Sequence, residues 1–269
     1  MIDGAQASTP DDRLPASLST VLVGKVAVLR LCRPAKRNAL NTEMIEGIRR
    51  FFSDPPANAR AAVLHGEGEH FSAELDLSDI REHDAAEGVL HSRLWHRAFA
   101  AIEAGDLPVV AALRGAVIGG GLELAATAHI RVAEPSTFYA LPEGQRGIFV
   151  GGGGSVRIPR LIGVARTADM MLTGRTYGAA EGAAIGLSQY QAGADEGLAL
   201  AMELAARIAE NARLTNFAVM HALPRMAEAD PAVGYLTESL MSAIAAADGE
   251  AKQRLADFLE KRAAKVVHR

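Results

Sequence analysis

The sequence predicts an α/β fold with a helical C-terminal region, and three observations carry that reading. Short apolar strands alternate with helical stretches through the first half of the chain. From Arg160 onward the periodic stretches are mostly helical. Over 269 residues, 49% are apolar and 22% charged, which supplies a core and excludes disorder as the main state. A chain of this length buries roughly 70–75% of its unfolded surface. The 28 Lys and Arg against 32 Asp and Glu leave a net charge of −4. That balance argues against a nucleic-acid-binding surface as the main function, and leaves room for a local basic pocket.

Residues 1–18 lack an apolar core and an early basic cluster, so they read as a disordered leader and not as a secretory signal. Val21 to Arg33 alternates as a strand pair, with a turn at Gly24-Lys25. Residues 34–38 break it as a loop. Asn41 or Thr42 caps a helix whose apolar residues recur at helical spacing over Met44–Phe52, and Pro55-Pro56 ends it. Ala61–His65 is a short apolar strand, followed by a turn over 66–69. His70-Phe71-Ser72, read alone, starts a helix capped at Ser72. Residues 85–104 form a long amphipathic helix containing Leu90, Leu94, Trp95, Phe99 and Ile102. Pro108 opens the buried strand 109–113, Gly115 turns into 116–121, Leu122–Ala128 looks helical, and Ile130–Ala133 is another strand. Helices follow over 161–172, 179–186, 195–210 and 249–264. A core over 19–200 is thus followed by a helical region over 201–269. No run reaches the ~18 apolar residues of a membrane span. The default is a cytoplasmic protein with no membrane partner.

The single cysteine, Cys32, excludes an internal disulfide framework and a multi-cysteine metal site. It reads as a buried filler on a strand, or as a nucleophile. Gly119-Gly120-Gly121 stands between a strand and a helix. It is either a tight turn or a place where a ligand approaches free N–H groups, suited to an anion or a developing oxyanion. Gly151–Gly154 lacks the Lys-Ser/Thr of a P-loop, and neither segment fits G-x-G-x-x-G. Glu123, in a first helical turn, is favoured there by the helix dipole. Glu143 reads alone as a solvated loop charge. Together, two carboxylates beside glycine-rich turns could hold and activate one water. The eight histidines show no metal-binding spacing, and His91 and His96 read as surface or interface residues. No G-x-S-x-G is present, so a serine-hydrolase elbow is absent.

Taken in order, five segments resemble the crotonase, or enoyl-CoA hydratase/isomerase, superfamily over residues 20–269. Arg33-Pro34-Ala35-Lys36-Arg37-Asn38-Ala39-Leu40-Asn41 looks like its N-terminal CoA-contacting loop. Phe71-Ser72-Ala73-Glu74-Leu75-Asp76-Leu77 is similar to F-S/C-A-G-x-D-L. Gly115 to Leu124 matches G-x-x-x-G-G-G-x-E-L, and Leu141-Pro142-Glu143 matches a later P-E motif. Phe258-Leu259-Glu260-Lys261-Arg262 resembles a C-terminal F-x-E-K-R. The resemblance implies a spiral core of ββα units with a helical C-terminal trimerisation region, assembled as a homotrimer or a dimer of trimers. It implies an acyl-CoA thioester as ligand, with no metal and no cofactor beyond the CoA of the substrate.

Leu75 and Gly120 would supply the two N–H groups that polarise the thioester carbonyl. Glu123 would activate a water for attack on Cβ, and Glu143 would deliver the proton to Cα. Ala35, Lys36, Arg37, Ala73, Asp76, Pro142, Gly151, Phe258 and Lys261 would contact substrate. Enoyl-CoA hydration is the activity implied. Other crotonase chemistries (an isomerase, a hydroxycinnamoyl-CoA hydratase, a hydrolase or a lyase) and a non-catalytic acyl-CoA-binding protein are the alternatives. Two positions depart from the pattern. Glu74 replaces a Gly, where positive φ is poorly tolerated by a side chain, and Phe149-Val150 replaces Ile-Pro in the wall of the acyl pocket.

Overall fold

The computed structural model describes residues 11–73 and 84–260. They fall into two units divided after Ala209. Residues 1–10 of the expected leader lie outside the described residues, and Leu14 already packs against the core.

In the first unit the strand pair is β1 (Leu18–Val23) and β2 (Val26–Leu31), antiparallel about the turn at Gly24-Lys25. Then β3 (Ala61–Gly66), β5 (Val109–Leu113), β7 (Ile130–Ala133) and β10 (Tyr190–Gln191) extend the sheet in parallel, in the order β1-β2-β3-β5-β7-β10. A second sheet is built from β4 (Ser72–Ala73), β6 (Ala116–Ile118), β8 (Phe138–Ala140) and β9 (Tyr177–Gly178), parallel except for β8 against β9. Along the chain, a strand of the first sheet is followed by a strand of the second and then by helix: β3, β4 and α2 (Ala85–Glu103); β5, β6 and α3 (Gly120–Ala125); β7, β8 and the pair α4 (Gly154–Ile162) and α5 (Val164–Thr173). This is the spiral of ββα units that the resemblance implied.

Alternation along the strands assigns two faces. Ala27, Leu29, Leu31, Ala62, Leu64, Val109 and Ala111 join one apolar cluster with α1 (Thr42–Ser53) and α2. Val26, Val28, Ala61, Val63, Val110 and Val132 join a second cluster with Ala201, Leu204 and Ala205 of α7 (Gly197–Ala209), which follows α6 (Ala179–Ile185). Both faces are covered, as a parallel sheet requires. Asn41 caps α1 by accepting from the Met44 N–H at 3.0 Å, and Asp84 with Glu87 forms a capping box on α2. The second unit holds α8 (Arg213–Phe217), a π-helical turn over 218–222, α9 (Leu223–Glu228), α10 (Pro231–Ala247) and α11 (Gly249–Leu259).

Four expectations are corrected. Ser72 caps no helix: it sits in β4, and its hydroxyl donates to the Asn38 carbonyl at 2.8 Å. Leu90 is exposed, because α2 buries its C-terminal half through Trp95, Ala98, Phe99 and Ile102. The helix expected over 161–172 is two helices, parted at Gly163 with φ 85°. The helix expected over 122–128 starts at Gly120 and ends at Ala125.

The loop after β2 is rooted by Asn38, which is fully buried at φ 55°. Its Oδ1 accepts from the Arg33 N–H at 2.8 Å, and its Nδ2 donates to the carbonyls of Glu67 and His70 at 2.9 and 2.8 Å. Replacing Asn38 with Ala leaves three backbone groups short of a partner and puts a less tolerant residue at positive φ. Asn38→Ala is expected to lower stability by about 2–4 kcal/mol, read from the shift in urea midpoint. A midpoint equal to that of the unaltered protein would contradict this account of the loop.

Candidate active site

The site grows from the junction of β6 and α3. Gly119 sits at φ 54°, ψ −122°, a conformation that an L side chain avoids. Its N–H is tied to the Ala140 carbonyl of β8 at 3.0 Å. This turns the chain sharply into α3, whose first N–H groups have no acceptor within the helix. At Gly121 a Cβ would collide with the Ser72 carbonyl of β4, so the glycines let the helix start pack against the second sheet.

Glu123 follows one turn later and is 3% exposed. Its Oε1 accepts from the N–H groups of Gly152 and Gly154 at 2.8 and 2.7 Å. Closeness demands glycine at 154 and leaves little room at 152. A Cβ at Gly154 would stand 2.7 Å from Glu123 Cγ, and one at Gly152 would meet Phe99, Trp95 and Glu123 Oε2 within 3.0–3.2 Å. The segment 151–154, which the sequence only excluded as a P-loop, is therefore a cradle for a carboxylate.

Glu143 is buried at 7% exposed, which corrects its reading as a solvated loop charge. It stands after β8, where its carbonyl accepts from Arg146 and Ile148. Burial pushes the Glu123 carboxyl up to about 7. The Gly154 N–H opposes that rise, the charge of Glu143 adds to it, and Gly152 and Arg157 oppose it.

Both carboxylates line one cavity of about 460 Å³, together with Trp95, Gly120, Phe149 and Gly151. Glu123, Glu143, Gly120 and Gly151 thus line one cavity, and Pro142 precedes Glu143 in the chain. Ala35, Lys36 and Arg37 lie on an exposed 3₁₀ turn. The Arg37 carbonyl accepts from the Ala73 N–H at 2.9 Å, which fastens that turn to β4. Leu75 and Asp76, with Glu74, lie outside the described residues, as does Lys261. Phe258 is exposed on α11, in the second unit.

His91, read from the sequence as a surface or interface residue, is half-buried and lines the cavity. Its signal in the sequence was position: it lies one helical turn before Trp95 on the face that turns inward. Cys32 is half-buried, with its Sγ 3.3 Å from Ser19 Oγ, and does not line this cavity. Among the described residues, no group of three or more His, Cys, Asp or Glu could hold a metal ion, and no helix is long and apolar enough to cross a membrane.

The sequence profile of the enoyl-CoA hydratase/isomerase family matches residues 23–268. A short-chain-enoyl-CoA hydratase of Clostridium acetobutylicum is 30% identical over 244 residues, covering 89% of this chain and 93% of that one. A Bacillus subtilis protein provisionally named an enoyl-CoA hydratase/isomerase is 33% identical over 253 residues, 92% of this chain and 96% of the other. A crystal structure from Rhodopseudomonas palustris, provisionally named an enoyl-CoA hydratase, superposes with a TM-score of 0.90 at 57% identity. It covers 97% of this chain and all of the other.

The raised proton affinity of Glu123 has a sign that stability can report. A carboxyl held near 7 in the folded state and near 4.5 when unfolded binds more protons folded, so stability falls as pH rises through that window. Gln in its place keeps an oxygen for the two N–H groups and carries no charge. Glu123→Gln is expected to be more stable than the unaltered protein at pH 8, by up to about 3 kcal/mol. The difference should close below pH 4.5. Denaturant midpoints at the two pH values check it, and a gap that does not narrow on acidification contradicts the burial argument.

Proposed function

Because the chain belongs to the enoyl-CoA hydratase/isomerase family, we propose that it hydrates enoyl-CoA thioesters, adding water across the 2,3 double bond to give a 3-hydroxyacyl-CoA. The observation that carries this reading is the pair of buried carboxylates, Glu123 and Glu143, facing one cavity beside the Gly119-Gly120 turn. A single carboxylate can move a proton. Two on one cavity can hold a water between them, take a proton from it and return one to carbon.

In this reading Glu123 accepts the water proton as oxygen attacks Cβ, and Glu143 supplies the proton that arrives at Cα. A group poised at about 7 is matched to accepting a proton near neutral pH. The two carboxyls titrate as a coupled pair, so the pH–rate profile belongs to both. The Gly120 N–H would stabilise the negative charge that builds on the thioester oxygen, with the Leu75 N–H as its expected partner. Preorganised donors of this kind are worth about 3–4 kcal/mol each. The cavity's mainly apolar walls, including Trp95, Val150 and Phe149, suit the acyl group. Ala35, Lys36 and Arg37 would meet the CoA moiety.

Glu123→Gln and Glu143→Gln are each expected to keep the fold and to reduce hydration of crotonyl-CoA by at least ~10²-fold. The loss of enoyl-thioester absorbance reads the rate directly. Turnover near that of the unaltered enzyme in either variant would sink the hydratase assignment. A panel of crotonyl-, longer enoyl- and aryl-enoyl-CoA substrates would then fix the acyl group.

The assembly that goes with this reading is a homotrimer or a dimer of trimers: the Ala-rich C-terminal helices resemble the family's assembly region, and closed symmetric oligomers are common. Light scattering at micromolar concentration is expected to give a multiple of three chains. A stable, active monomer would refute it.

A further inference from the structure

The turn that grips Glu123 is itself held from behind. Ser92, on α2, donates its hydroxyl to the Gly151 carbonyl at 2.5 Å. That carbonyl belongs to the same peptide plane as the Gly152 N–H, so fixing one end of the plane fixes the direction of the other. Arg157, on α4, donates from Nη1 to the Gly152 carbonyl at 2.9 Å. Its Nε and Nη2 donate to Glu103 Oε2 at 3.0 and 2.9 Å. The guanidinium also lies 6.0 Å from the centre of the Phe99 ring. The chain wraps it so tightly that at Gly153, with φ 99°, a Cβ would collide with Nη1. In turn the Gly153 carbonyl, which shares a plane with the Gly154 N–H, accepts from the N–H groups of Val156 and Arg157 at 3.1 Å.

We infer that Ser92 and Arg157 are the positioning residues of this site. Between them they clamp the carbonyls of Gly151 and Gly152: Ser92 sets the plane that carries the Gly152 N–H, and Arg157 holds the turn whose next plane, fixed at its Gly153 carbonyl by the start of α4, carries the Gly154 N–H, so that both N–H groups converge on Oε1 of Glu123. The inference rests on the reading of Glu123 as the group that acts on the attacking water. Neither residue reacts, and neither was singled out by the motifs. Arg157 adds a cation that favours the ionised carboxylate, and Glu103, part-exposed at the end of α2, orients that cation. Among the described residues, the charged groups that act on Glu123 are Glu143 and Arg157. His91 and Arg146 line the same cavity, and His96 Nε2 lies 3.3 Å from Ser92 Oγ.

The test reads the carboxyl itself, so it does not depend on turnover. Infrared pH-difference spectra are recorded on the full-length protein, and the protonated-carboxyl band of Glu123 is identified by its loss in Glu123→Gln. Ser92→Ala, which loosens only the peptide plane, is expected to raise the titration midpoint by about half a pH unit. Arg157→Gln, which also removes the cation, is expected to raise it by about one unit or more. Arg157→Lys keeps the cation without the planar fork. It should titrate between the unaltered protein and Arg157→Gln, and it carries the arginine arm if the Gln variant does not fold. A midpoint that stays with the unaltered protein in either the Ser92 or the Arg157 arm overturns the proposal. A protein that hydrates no enoyl-CoA overturns the functional reading instead, and the spectra still decide the clamp.

Discussion

A carboxylate removed from water must be hydrogen-bonded or give up its charge. At Glu123 both pressures operate at once. Apolar walls and the neighbouring Glu143 favour the proton, while two backbone N–H groups and the Arg157 cation favour its loss. The outcome is a group poised near neutrality, and the local architecture is arranged to keep it there. Gly154 is needed because Glu123 occupies the space a Cβ would take, and at Gly152 a Cβ would crowd Phe99, Trp95 and the carboxylate. Gly119 is needed because α3 must start within one residue of the end of β6.

The scaffold supplies the rigidity that such a balance requires. The first sheet is covered on both faces, so its strands cannot tilt without disturbing a close-packed interior. Each turn of the spiral carries the chain from that sheet to a short strand of the second. The segments that leave β6 and β8 bring Glu123 and Glu143 to the same cavity. The long helix α2 closes the arrangement from the side. Trp95 and Phe99 pack beside Gly152, Ser92 holds the Gly151 carbonyl, and Glu103 holds Arg157. One helix thus serves as wall, clamp and anchor through residues spaced by about one or two turns.

The sequence by itself determined the strands of the first sheet from β1 to β7. Alternation in β1 and β2, and short apolar runs in β3, β5 and β7, are local properties of four to six consecutive residues. It also narrowed the N-cap of α1 to Asn41 or Thr42, and determined the core positions of the C-terminal half of α2 and the order of motifs that placed Gly120, Glu123 and Glu143 as candidates. Each of these can be read from one stretch of chain. The short strands β4, β6, β8 and β9 could not be read this way. Two or three residues carry no period, and such strands exist only because a partner lies alongside. Tertiary structure alone decided that Ser72 pairs in a sheet, that Glu143 is buried, that His91 reaches the cavity, and that Gly151–Gly154 cradles a carboxylate. The bonds from Gly152 and Gly154 to Glu123 span 29 and 31 residues. Periodicity tells which way a side chain faces within its own element. Which group it meets there depends on the approach of distant segments, and that approach sets the burial and charge on which the chemistry rests.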